Sequence, residues 1–144
     1  MNHLAIAATV LTTMFFVSGV DKVSNFNKVV DGLRVRVGPS LPTIVAQLMI
    51  LGAIAIELLA PPMTVYAALR RSLRIDRWGA YASLALIVFT VLATLVYHFP
   101  PVDIFQFPPV VDSKKYYPFM SNLATSGGLY LLYRVFATNS AIGG

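Results

Sequence analysis

Apolar residues along this chain come in long runs, and polar ones gather between them. A helix crossing a hydrocarbon core of about 30 Å needs roughly 20 apolar residues. Four runs approach that length. The first, residues 4–20, carries no charge and stops at Asp21 and Lys22. The second, residues 43–69, holds a single charge, Glu57, and stops at Arg70 and Arg71. The third, residues 78–97, ends at His98 and a Pro100-Pro101 pair. The fourth, residues 118–136, opens on Pro118, a residue suited to a first helical turn. Trp78, Tyr97, Tyr116, Tyr117 and Tyr133 sit near run ends, where amphipathic rings belong. The first run reads as a span rather than a signal peptide. No Lys or Arg precedes it, and Ala5-Ile6-Ala7 falls too early for a cleavage site. Between spans one and two, Phe26, Val29, Val30 and Leu33 repeat at helical spacing, with Lys28, Asp31 and Arg34 off that stripe. The segment, about residues 24–34, is too short to span, so an interfacial amphipathic helix is expected. The pattern thus predicts an all-α, polytopic membrane four-helix bundle, a single transmembrane domain over residues 1–144.

Composition narrows the class. Of 144 residues, 57% are hydrophobic and only 12% are charged. Soluble domains carry roughly 25% charged residues, so this chain cannot cover a water-facing surface in the usual way. Abundant aliphatic and aromatic residues exclude disorder. Cysteine is absent, which removes disulfides, thiolate nucleophiles and iron–sulfur ligation. The two histidines fall at opposite ends of spans, and no spacing matches a metal site. The net charge of +5 comes from clusters between the apolar runs, which suits a bilayer with anionic headgroups rather than nucleic acid. Lys and Arg divide almost evenly between the two sides. The compact Arg70, Arg71, Arg74 and Arg77 loop weighs more than dispersed charges, so the termini are expected on the cytoplasmic side. That loop is also the expected surface for lipid or a partner protein.

Glu57 is the foremost candidate for chemistry. A carboxylate near mid-membrane costs at least ~2.5 kcal/mol, so it should face the bundle interior. Ala46, Ala53 and Ala60, every seventh residue beside it, mark a helix–helix seam. Ionised and unpaired, the group would be untenable, so it should be protonated or bonded to donors. It could carry a proton, bond a lipid or quinone headgroup, or only cross-link helices. Counting rises from the span ends places Glu57 level with Thr12, Thr13, Ser83 and Tyr130. The same counting gathers Ser18, Asp21, Lys22, Gln47, His98 and Asn122 near the face opposite the termini. Lys22, Gln47, His98 and Asn122 could form a polar pocket there, or snorkel to water. Polar stripes, Ser83, Thr90, Thr94 and Tyr97 in span three and Asn122, Ser126 and Tyr130 in span four, fit interior packing.

Several short motifs, in order along almost the whole chain, carry a family likeness. They are Ser18-Gly19-Val20-Asp21-Lys22, Ile56-Glu57-Leu58-Leu59, His98-Phe99, Asn122-Leu123-Ala124 and Gly127-Gly128-Leu129. Together they resemble the DoxX-like family of small four-span membrane proteins. The resemblance implies a four-helix bundle and a link to quinone-dependent oxidoreductases, often as an accessory subunit. It also implies Lys22, Glu57, His98 and Asn122 as the polar set. The chain departs from the family in its long Val102–Lys115 loop and in Pro61-Pro62, which should break or kink span two. The expected function is therefore an accessory subunit of a quinone-linked membrane system. It has no intrinsic cofactor and no catalytic residue of its own, with quinone the ligand and a larger assembly the partner. The alternative is a structural membrane protein anchoring such an assembly, in a respiratory complex or a virion's internal membrane.

Overall fold

The structure, a computed structural model, describes residues 2–38, 40–98, 102–103, 110–111 and 113–142. Five helices account for nearly all of these: α1 (His3–Ser24), α2 (Phe26–Val37), α3 (Thr43–Leu69), α4 (Leu73–His98) and α5 (Ser113–Ile142). Two short strands, β1 (Val102–Asp103) and β2 (Val110–Val111), pair antiparallel, with Val102 opposite Val111. α1, α3 and α4 are long and apolar enough to cross a membrane. The chain is a helical membrane protein.

The helices extend past the apolar runs that seed them. α1 carries on through Asp21 and Lys22 to Ser24, and α4 begins at Leu73 rather than at Trp78. α5 begins at Ser113, which puts Pro118 inside the helix instead of in its first turn. The Pro61-Pro62 pair does not break α3 either. Each proline removes one N–H, leaving the backbone carbonyls of Glu57 and Leu58 without their usual partners. Packing against neighbours lets such helices persist.

α3 packs against both α1 and α4, α4 against α5, and α1 touches α5 lightly. The order around the bundle is therefore α1–α3–α4–α5, and α1 and α4 face each other diagonally. Neighbours run antiparallel. Gly79 near the start of α4 lies against Phe136 near the end of α5, while Thr94 near the end of α4 meets Asn122 near the start of α5. Asn2 caps α1 through its side chain and also donates to the Ala68 carbonyl at the end of α3.

Small residues set the distances. A Cβ at Gly79 would stand 2.5 Å from the Ala67 Cβ, so α3 and α4 meet there with nothing between them. A Cβ at Gly128 would stand 2.9 Å from Leu11 Cδ2 of α1, whereas one at Gly127 would meet nothing. The main core joins Ala8, Phe15, Ala67, Leu86, Leu129 and Phe136. On α5 the buried stripe is Leu129, Leu132 and Phe136, and Tyr130 is half exposed, outside the interior that its polar stripe implied. Threonines of α1, α3 and α4 donate to the carbonyl four residues back, including Thr12 to Ala8, Thr64 to Ala60 and Thr90 to Leu86. In the α4 stripe Thr90 and Thr94 satisfy themselves locally in this way, whereas the buried Ser83 hydroxyl has no hydrogen-bond partner among the described residues.

α2 buries Val30 and Leu33 against Ala46 and Ile50 of α3, with Phe26 and Val29 alongside. The stripe read from spacing is the face it turns to α3. Arg34 Nε donates to the Leu41 carbonyl at 3.2 Å, and the turn after α2 uses Gly38 at φ 137°, a conformation open to glycine.

A candidate ligand site around a buried ion pair

Gly19 is the point from which the site grows. A Cβ there would lie 2.9 Å from Leu58 Cδ2 and 3.0 Å from Glu57 Cβ, so α1 and α3 touch backbone to side chain at this level. One turn further along α1, Lys22 is brought onto Glu57. Its Nζ donates to both carboxylate oxygens at 2.8 Å and to Ser18 Oγ at 2.6 Å. Glu57 is 2% exposed and the Lys22 side chain 20%. The ammonium also stands 5.9 Å from the centroid of the Phe89 ring on α4. Phe89 itself meets Phe15 of α1 edge to face, with centroids 6.5 Å apart.

This pairing corrects the depth estimate. Glu57 is level with Gly19, about six residues or 9 Å along α1 from Thr13. Counting inward assumed that α1 ends where α3 begins. Instead α3 projects about 14 Å past the end of α1, and α2 packs against the projecting part. Glu57, expected at a separate depth, therefore joins Ser18 and Lys22 of the other grouping. The counter-ion that the sequence does not reveal for Glu57 is Lys22.

Beside the pair lies a cavity of about 670 Å³. It occupies the space between α1 and α4, with α3 behind it and Val29 and Leu33 of α2 closing one end. Met14, Met49, Val88 and Leu92 form apolar walls, and each is about half exposed, so the cavity opens on the bundle flank. Its size falls within the roughly 300–1,000 Å³ usual for small-molecule sites. Polar groups mark two places in it. One is Ser18, Lys22 and Glu57; the other is Tyr97 and Asn122. Asn122 Nδ2 donates to Thr94 Oγ1 at 2.9 Å, and that hydroxyl donates to the Thr90 carbonyl at 2.7 Å. Tyr97 is held by α2. Arg36 donates to the Tyr97 carbonyl and lays its guanidinium 6.0 Å from the ring centroid.

The expected polar set is thus divided. Lys22, Glu57 and Asn122 reach the cavity, whereas Gln47 and His98 do not line it. Both are half-buried, and His98 stacks at a tilt on its neighbour Tyr97, 6.5 Å between centroids. Tyr97 and Phe89 are the residues that the sequence does not single out as site members. Tyr97 belongs to the α4 polar stripe, and that stripe was the available signal.

At the other end of the bundle the basic loop is not uniform. Arg70, Arg71, Arg74 and Arg77 are all exposed, but Arg71 also reaches a buried carboxylate: its Nε is 3.2 Å from Asp76 Oδ1, and its guanidinium lies 5.9 Å from the Phe136 ring centroid. Asp76 is 3% exposed, and that oxygen has no well-aligned hydrogen bond despite the short separation. A carboxylate in the first turn of α4 is favoured by the helix dipole, the one sequence signal that pointed to it. Among the described residues no group of His, Cys, Asp or Glu could hold a metal ion.

Comparison of the chain with protein-family models, with curated proteins and with solved structures gives no match.

Proposed function

We propose that this chain is a four-span membrane protein serving as the accessory, ligand-binding subunit of a quinone-linked membrane oxidoreductase system. The observation that carries the reading is the cavity: apolar walls opening on the membrane-facing flank, with hydrogen-bonding groups at two places in it. A lipid-soluble ligand with a compact polar head fits that arrangement, and an isoprenoid quinone is such a ligand. The motif order resembling DoxX-like proteins supports the same class. A redox centre belongs to the partner or to the quinone itself, since the chain offers no thiol for one. The structural-anchor reading has Arg70, Arg74 and Arg77 as a surface, but it leaves the cavity without a role.

The packing of α5 supports a fourth span: it lies antiparallel along α4 from Asn122 to Phe136. α3 is 27 residues long, or about 40 Å, which exceeds a hydrocarbon core of about 30 Å. Its projecting first turns, with α2 packed on them, then sit at the interface, and exposed Lys28, Asp31 and Arg36 of α2 meet headgroups and water. The exposed arginines favour a cytoplasmic side for the end holding the termini.

The test is extraction of the protein from its own membrane in mild detergent, followed by organic extraction and mass spectrometry. Near-stoichiometric quinone is the expected result. Only bulk phospholipid, in the proportions of the membrane, contradicts the proposal.

A further inference from the structure

Resting on the quinone reading, the structure assigns the headgroup to the Tyr97–Asn122 end of the cavity, and gives the Lys22–Glu57 pair a positioning role only. The two ends are separable. Phe89, beside Lys22, and Tyr97 are eight residues apart on α4, a rise of about 12 Å. A quinone headgroup seated against Tyr97 therefore lies about two turns of α4 from the level of the ion pair.

Hydrogen-bond bookkeeping decides between them. An ammonium has three protons and no lone pair. Lys22 spends its three on Ser18 Oγ and on the two oxygens of Glu57. The ion pair itself has no donor left for a quinone carbonyl, and the donor remaining at this end is the single hydroxyl proton of Ser18. Glu57 offers spare acceptor capacity only, and it is 2% exposed behind its partner. Displacing a bond of the pair to reach a neutral carbonyl would trade a charge-assisted bond for a weaker one. The pair is closed on itself, and what it does is fix α1 against α3 where Gly19 allows them to meet.

The other end is open. Asn122 donates one N–H to Thr94, which leaves its second N–H and its carbonyl oxygen. Among the described residues the Tyr97 hydroxyl makes no hydrogen bond, while Arg36 holds the same residue by its carbonyl and ring. Both side chains are uncharged, and each can donate and accept. They can donate to a quinone carbonyl and accept from a quinol hydroxyl, so this end suits both redox states. The ion pair's remaining capacity would favour quinol alone.

The experiment titrates the full-length protein in detergent with ubiquinone-1 and with ubiquinol-1, with circular dichroism to confirm helicity. Wild type is expected to bind the two forms with affinities within about threefold of each other. Tyr97→Phe keeps the ring and the carbonyl that Arg36 uses, and should weaken binding of both forms about tenfold. Asn122→Leu should do at least as much. The double substitution Lys22→Met with Glu57→Met should change affinity less than about threefold. Unchanged binding in Tyr97→Phe and Asn122→Leu together with loss in the double variant overturns this assignment and leaves the quinone reading standing. Failure of wild type to bind either form overturns both.

Discussion

Lys22 and Glu57 illustrate how much a single pair can depend on its neighbours. A buried ion pair adds little over well-packed apolar residues, but removing one partner strands the other. Lys22→Met alone leaves the Glu57 carboxylate buried without its donor, and should cost about 3–5 kcal/mol of stability. Lys22→Met combined with Glu57→Met should cost far less, because no charge is then stranded. Thermal unfolding in detergent measures both, and a double variant no better than the worse single one would contradict this account of the pair. Glu57 stood out in the sequence because a lone carboxylate in an apolar run is expensive. Its partner did not, since Lys22 at a span end reads equally well as a snorkelling lysine. Which lysine meets which acid depends on the axial offset between α1 and α3. That offset rests on a three-dimensional contact, Gly19 against Leu58 and Glu57, that no local pattern encodes.

Elements were more legible than their relative placement. Apolar runs and helical spacing locate all five helices, because a backbone in hydrocarbon must satisfy its own hydrogen bonds and the helix does so within one segment. Ends were less legible. α4 and α5 each start five residues before their apolar runs, since polar residues at a membrane surface continue a helix without penalty. Prolines misled for a related reason: Pro61, Pro62 and Pro118 each sit inside a helix that neighbours hold together. α5 is the helix whose role rests most on packing, for it is the longest at 30 residues and yet not among the three most apolar. Its stripe of Leu129, Leu132 and Phe136 is buried while Leu123 and Leu131 face outward, as a span requires. As the proposed fourth span it would return the chain to its starting side. Cysteines introduced at His3 and Ala141, both exposed, should react with an impermeant maleimide from the same face of sealed vesicles. Labelling from opposite faces would show that α5 does not cross.

For the molecule as a whole, the cavity is a consequence of order rather than of any one motif. α1 and α4 are diagonal across the bundle, α1 stops short of the end of α3, and α2 covers part of the space left. Only after these placements do Lys22, Asn122 and Tyr97 share one cavity while Gln47 and His98 stay outside it. The sequence could supply the candidates and their approximate depth, but not which of them face one another. The central claim is that a quinone occupies this space, and photolabelling tests it most directly. A short-chain azido-quinone is irradiated with the protein in sealed vesicles, and the labelled residues are mapped by mass spectrometry with and without excess unlabelled quinone. The account predicts competable label in the cavity-lining segments, residues 14–22 of α1, 49–57 of α3 and 88–97 of α4, and at Asn122 of α5. Label spread evenly over outward residues such as Val10 and Leu131, undiminished by competitor, would contradict it.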